Sequence, residues 1–490
     1  MFVARRVEAF GTMGAMGQAG EPTPWPLRLY AVGARIALAT APLWLRLRAR
    51  RGKEDLARSP ERYGRTTLPR PDGPLVWFHA ASVGETLAIL PLIERIAPNG
   101  DGGINVLLTT GTLTSAKLAA ERLPDGAVHQ FKPLDATPVM RRFLDHWRPD
   151  VAVFAESEVW PVTVRELALR TVPQVLVNAR MSDRSYRRWA KRPRVAGALF
   201  GRFAHVAAQS ATDAERFRNL GAAPVTMTGN LKVDNAAPAH DAEELATLRE
   251  TIGGRPIWLA ASLHPDEDAE VIAAATRLRS SRPEALSILV PRHPERGNAI
   301  RTACEAAGLS VAQRSRGEKP RDADVYLGDT IGEMGLFFRL SPVAFMGKSL
   351  GTGSAKGGQN PLEAVACGAA VLTGREVSAF RDIYRTLVER GGAKLVQDAV
   401  TLATLVEHLW DHDEHRAAME RGAATAVAEM SGGLERTFGV LSRHLMPLRL
   451  NLSLARSRAE MGERERKLAN LRADAPDLFA TETMLFEPGE

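Results

Sequence analysis

Short apolar runs of four to six residues, each followed by a helical pattern, recur along most of this chain, and that rhythm allows few folds. One series comprises residues 75–80 (LVWFHA), 104–109 (INVLLT), 151–155 (VAVFA), 174–178 (QVLVN), 205–209 (HVAAQ) and 225–229 (VTMTG). A second comprises 257–262 (IWLAAS), 286–290 (LSILV), 324–328 (DVYLG), 343–346 (VAFM) and 370–374 (AVLTG). Apolar runs alternating with helices are the signature of parallel, doubly wound sheets. A polar stretch from Val233 onward separates the series. The chain therefore reads as two Rossmann-like α/β domains, 54–232 and 251–446, joined by a linker over 233–250. Two such halves facing across a cleft put the carboxyl ends of their strands where ligands bind.

The flanking segments differ in kind. Residues 1–25, rich in Gly and Met, read as a disordered N-terminus. Residues 26–53 open with PLRLYAVGARIALATAPLWLRL and continue into Arg46, Arg48, Arg50, Arg51 and Lys53. The length suits a membrane span, but Arg28 and Arg35 interrupt it and Pro42 would kink it. A membrane-associating helix on the cytoplasmic face fits better, with Tyr30 and Trp44 at headgroup level and the arginines on anionic lipid. Residues 447–490 read as a charged helical tail. The net charge of +7 leaves nucleic acid, anionic membrane and phosphorylated substrates open as partners. No strip of stacking aromatics accompanies the basic residues, which speaks against nucleic acid. Two cysteines, Cys304 and Cys367, offer neither a disulfide framework nor a metal cluster, and no metal ligand set is expected.

Ser82-Val83-Gly84-Glu85 places a carboxylate where the 75–80 strand turns into a helix. Ser82 and Glu85 have the spacing of a capping box; the same position suits a general base, and local sequence leaves both open. Three loops of the second half suit a nucleotide. Residues 329–333 (DTIGE) open a helix after a strand, and 357–363 (GGQNPLE) do so with Gly358 for close backbone approach, Asn360 as N-cap and Pro361 in the first turn. Glu363, one turn in, can accept from ribose hydroxyls or cap the helix. Arg292 in PRHPER follows a buried strand and can hold a phosphate. Neither a Walker A motif nor GxGxxG with a downstream acid is present.

HAASVGE (79–85), TTGTLTS (109–115), ESEVWP (156–161), NARMSDRSY (178–186), TGNLKVD (228–234), PRHPER (291–296), GDTIGEM (328–334) and GGQNPLE (357–363) closely resemble, in order, the 3-deoxy-D-manno-octulosonic acid (Kdo) transferases of lipopolysaccharide synthesis. The resemblance implies a GT-B enzyme that moves Kdo from CMP-Kdo to the lipid A precursor, lipid IVA, at the inner membrane, inverting the anomeric centre without metal or cofactor. It implies Glu85 as general base, Ser82 and Glu158 on the acceptor side, and Gly332, Glu333, Asn360 and Glu363 about the CMP. Gln359, where the family usually has His, and Gly374-Arg375-Glu376 depart from the pattern on the donor side. A GT-B enzyme with a uridine donor and a basic membrane adaptor are the rival classes.

Overall fold

The computed structural model describes residues 23–97, 103–234, 237–351 and 357–474, in two compact units. The expectation for residues 1–22, and that for the tail beyond 474, fall outside the described residues.

The first unit carries a seven-stranded sheet of order β3-β2-β1-β4-β5-β6-β7, parallel throughout. Its strands are β1 (Leu75–Ala80), β2 (Asn105–Thr110), β3 (Ala127–Phe131), β4 (Val151–Ala155), β5 (Gln174–Ala179), β6 (His205–Ala208) and β7 (Val225–Met227). The second sheet has order β10-β11-β9-β8-β12-β13-β14 and is also parallel. It is built from β8 (Ile257–Leu263), β9 (Leu286–Pro291), β10 (Val311–Gln313), β11 (Val325–Leu327), β12 (Val343–Met346), β13 (Ala370–Thr373) and β14 (Ala393–Leu395). In each sheet the winding reverses beside its first strand, between β1 and β4 and between β8 and β12. Those are the topological switch points.

Three strands escaped the sequence reading, all at sheet edges. β3 carries His129 and Gln130, polar residues that only tertiary bonds satisfy: Thr110 Oγ1 lies 2.9 Å from His129 Nε2, and Trp147 Nε1 donates to Gln130 Oε1 at 2.8 Å. β10 and β14 are three residues each, too short for a pattern.

The domain limits also differ from the expected ranges. The 233–250 segment is not an open linker, because Asp241 caps a helix Ala242–Ile252 whose Leu245, Leu248 and Ile252 enter the core of the second unit. The second unit spans 230–433 rather than ending at 446, and the chain returns to the first unit at Leu434. The second unit's two ends meet: Gly432 N donates to Asp234 Oδ1 at 2.9 Å, and a Cβ on Gly433 would lie 3.4 Å from the Asn230 carbonyl. From there one helix, Gly433–Asp474, buries Val440, Leu441 and Leu445 and ties Arg436 Nε to Thr228 O at 2.7 Å. Beyond Met446 it is mostly exposed and charged.

The basic N-terminal segment forms two helices, Trp25–Ala37 and Ala41–Arg50, with Pro42 in the first turn of the second, where it needs no donor and kinks nothing. Among the described residues no helix is long and apolar enough to cross a membrane. Tyr30 departs from its expected headgroup position: its hydroxyl donates to Asp135 Oδ2 at 3.1 Å, turning it toward the protein. Arg48 likewise donates to the buried Glu54 at 3.1 Å, which Arg62 grips through both Nε and Nη2.

Candidate active site

β1 is buried along its whole length and delivers the chain into the helix Val83–Ile96 at the switch point. Ser82 caps this helix, its Oγ accepting from Glu85 N at 3.4 Å. The Glu85 carboxylate does not close an ordinary capping box: it accepts from Ala81 N at 2.8 Å, one residue further back, and from Ser82 Oγ at 2.8 Å. Gly111, after β2, passes so close that a Cβ there would meet the Ala81 carbonyl at 2.8 Å. Burial raises the Glu85 carboxyl to about 7, helped by the Glu156 and Glu158 charges and opposed by the Ala81 N–H and the Ser82 hydroxyl. A half-buried carboxyl titrating near neutrality has the affinity a general base requires.

Glu156 and Glu158 follow β4, the strand on the other side of the switch point. Glu156 adopts φ +53°, a conformation L-residues seldom hold without surrounding constraint. Glu158 Oε2 accepts from Trp160 Nε1 at 2.8 Å and faces His79 Nε2 at 3.3 Å. His79 is fully buried, and burial lowers its pKa despite Glu158, so the ring is neutral. Its Nδ1 lies 2.9 Å from the Thr109 carbonyl and 3.0 Å from the Thr109 hydroxyl. Lys132, nearly enclosed, sets its Nζ 2.8 Å from the centre of the Trp160 ring, and burial pulls its pKa well below the usual lysine range. Burial works to raise the Glu158 carboxyl, but the His79 contact, Lys132 and Trp160 outweigh it and hold it below the usual range. The unit thus gathers three carboxyl groups with a buried imidazole and a buried lysine, and brings the expected Ser82, Glu85 and Glu158 together.

In the second unit a buried carboxylate organises the switch point. Glu267, after β8, accepts backbone N–H groups of Lys348, Ser349 and Leu350 at 2.5, 2.7 and 2.9 Å, fixing the loop that leaves β12. Gln359 Nε2 lies 3.2 Å from His264 Nε2, joining the loops after β8 and β12. Gly358 needs φ +73° in this turn. Asn360 Oδ1 accepts from Leu362 N at 3.2 Å just before the helix Leu362–Ala366, whose N-cap position falls on Pro361 and not, as expected, on Asn360. Glu363 is exposed in that helix's first turn; the surrounding protein raises its carboxyl, with Lys232 and Arg292 pulling the other way. Arg292 is exposed after β9. Gly332 turns with φ +90°. Arg314 takes the Glu333 carboxylate through Nε at 3.0 Å and Nη2 at 2.5 Å, and Thr330 Oγ1 also donates to it. Those bonds hold the loop.

Residues 57–235 match the family model described as 3-Deoxy-D-manno-octulosonic-acid transferase (kdotransferase). A 3-deoxy-D-manno-octulosonic acid transferase of Rickettsia bellii is 34% identical over 366 residues, 74% of this chain and 86% of that protein. The chain belongs to the Kdo transferase family. A 3-deoxy-D-manno-octulosonic acid transferase of Haemophilus influenzae is 32% identical over 408 residues, 82% of this chain and 94% of that one. A solved glycosyltransferase of Rickettsia africae superposes with TM-score 0.53 at 10% identity, covering 77% of this chain and 99% of its own. A putative UDP-N-acetylglucosamine 2-epimerase of Listeria monocytogenes does so with TM-score 0.52 at 15% identity, covering 77% and 97%. Those two likenesses establish the GT-B fold.

For this Kdo transferase family member, sequence reasoning missed Lys132, Glu267 and the pairing of His79 with Glu158. Lys132 and Glu267 carry no local motif, and their partners lie 28 and more than 80 residues away. His79 stood inside HAASVGE, so its place at the site was available while its partner was not.

Proposed function

We propose that this chain transfers Kdo from CMP-Kdo to lipid IVA, with inversion and with Glu85 as general base, at the cytoplasmic face of the inner membrane. The observation that carries the proposal is Glu85 itself, a half-buried carboxyl at the β1/β4 switch point with affinity raised to about 7. In the proposed step the Glu85 carboxylate accepts the proton of an acceptor hydroxyl while that oxygen bonds to the anomeric carbon of Kdo. The bond from that carbon to the CMP phosphate breaks on the opposite face, and its electron pair leaves with CMP. The proton ends on Glu85, and the Ala81 N–H and Ser82 hydroxyl hold the carboxyl in place throughout.

Donor binding is assigned to the second unit. Arg292 suits the phosphate, the backbone about Gly332 and Gly358 allows close approach, and Asn360 and Glu363 border the nucleotide. Membrane association is supported by an apolar face at helical spacing, Trp25, Leu29, Val32 and Ile36, all exposed, continued by Leu43, Trp44 and Leu47. Arg46 and Arg50 on the following helix add attraction for anionic lipid.

The test is to incubate the purified chain with CMP-Kdo and detergent-dispersed lipid IVA and weigh the products, with UDP-sugars as competing donors. One or more Kdo increments, unaffected by UDP-sugars, are expected. Absence of any increment would refute the donor and acceptor assignment.

A further inference from the structure

The helix Ala399–Asp411 ends and the helix Asp413–Met430 begins on either side of His412, and three imidazoles gather at this corner. His408 lies in the last turn of the first helix and His415 in the first turn of the second. One ring nitrogen from each of His408, His412 and His415 lies within 4.8 Å of the other two. His408 Nε2 and His415 Nδ1 are 2.7 Å apart, so two basic nitrogens share a single proton. His412 Nδ1–H donates to the His408 carbonyl at 2.9 Å, which fixes the tautomer and leaves the Nε2 lone pair free, the outer-shell arrangement common to metal-bound histidines.

We propose that His408, His412 and His415 form a binding site for a borderline divalent cation, Zn²⁺ above all, separate from the loops that carry transfer. Ligands about 2.0–2.1 Å from a tetrahedral zinc stand roughly 3.4 Å from one another. The present spacings fall on both sides of that figure. The rings lie 14° to 26° from parallel and would have to splay to aim at one ion. His415 is exposed and His408 half-buried at the surface, so side-chain rotation suffices, and the corner is held by Arg416 Nη1 donating to Leu409 O at 3.0 Å. Three neutral nitrogen donors without a carboxylate cage select Zn²⁺, Ni²⁺ or Cu²⁺ over Mg²⁺ or Ca²⁺. A bound ion would staple the two helices across the corner. The sequence reading, which looked to cysteines for metal, passed over this H-x3-H-x2-H spacing.

The experiment uses the full chain, purified without a polyhistidine tag and stripped with chelator. Calorimetric titration with Zn²⁺, and with Co²⁺ followed by its visible absorption, should show one saturable equivalent. His408→Ala and His415→Ala should each weaken it by at least about tenfold, and Zn²⁺ should raise the Tm of the parent chain but not of the double variant. Kdo transfer should be the same in all of them. Failure to saturate at one equivalent, or equal affinity in the double variant, would overturn the site.

Discussion

Replacing Glu85 by Gln should abolish most transfer while making the protein more stable in alkali. The Glu85 carboxyl moves from 4.5 to about 7 on folding. At 1.36 kcal/mol per pH unit that is an upper figure of about 3 kcal/mol, and solvent reaching the half-buried group reduces it to about 2 kcal/mol. Between pH 4.5 and 7 the folded chain keeps a proton that the unfolded chain has released. Stability from this group is therefore complete below the lower value, falls as pH rises through the higher one, and is lost above it. Gln carries no such dependence, and its amide oxygen can still accept from Ala81 N. Thermal unfolding at pH 9 should thus place the variant about 3–4 °C above the parent, for a unit of roughly 290 residues. At pH 5 the difference should nearly vanish. Transfer should fall by about a hundredfold or more, with CMP affinity unchanged. Parental turnover would remove Glu85 as the base, and an equal Tm at both pH values would show that the carboxylate is not desolvated as described.

Three further outcomes follow from the same geometry. Transfer should rise with pH through about 7 as Glu85 ionises, and Glu156→Gln, which removes a charge that raises Glu85, should move that limb to lower pH in a rate profile. Glu363→Ala should weaken calorimetric CMP binding by about 1.5–3 kcal/mol if Glu363 accepts from the nucleotide, whereas Glu333→Ala should chiefly lower Tm, since Arg314 already holds that carboxylate; the reverse pattern would exchange their roles. Replacing Arg46, Arg50, Arg51 and Lys53 with Gln, sparing Arg48 because it supports Glu54, should reduce flotation with anionic vesicles and slow transfer to bilayer-embedded acceptor far more than to detergent-dispersed acceptor.

What sequence conveyed and what it withheld divide along physical lines. β1, β4 and β8 announced themselves because strands buried on both faces are apolar at nearly every position. β3 did not, because its half-buried edge tolerates His129 and Gln130. The helix Ala242–Ile252 had its signals in view, an Asp241 cap and apolar residues at 245, 248 and 252, but polar neighbours masked them. At the site, Glu85 was legible as a position and ambiguous as a role, and the structure shows why: one carboxylate both anchors the helix start and stands at the switch point. Tyr30 illustrates the limit. Its amphipathic surroundings pointed to lipid, while the partner that claims its hydroxyl, Asp135, stands 105 residues along the chain.

The meeting of Asn230 with Gly433 makes the second unit a cassette clasped at its own base. A stretch of chain whose two ends touch can be lifted out, exchanged or lengthened without reopening the sheet around it. The first unit has no such independence: cutting after Gly433 would strip away Leu441 and Leu445, and with them the cover they give its core. With the donor assigned, as proposed, to the second unit, changes in donor preference can accumulate within one closed loop of sequence, while the half that bears Glu85 must be inherited from both sides of it at once.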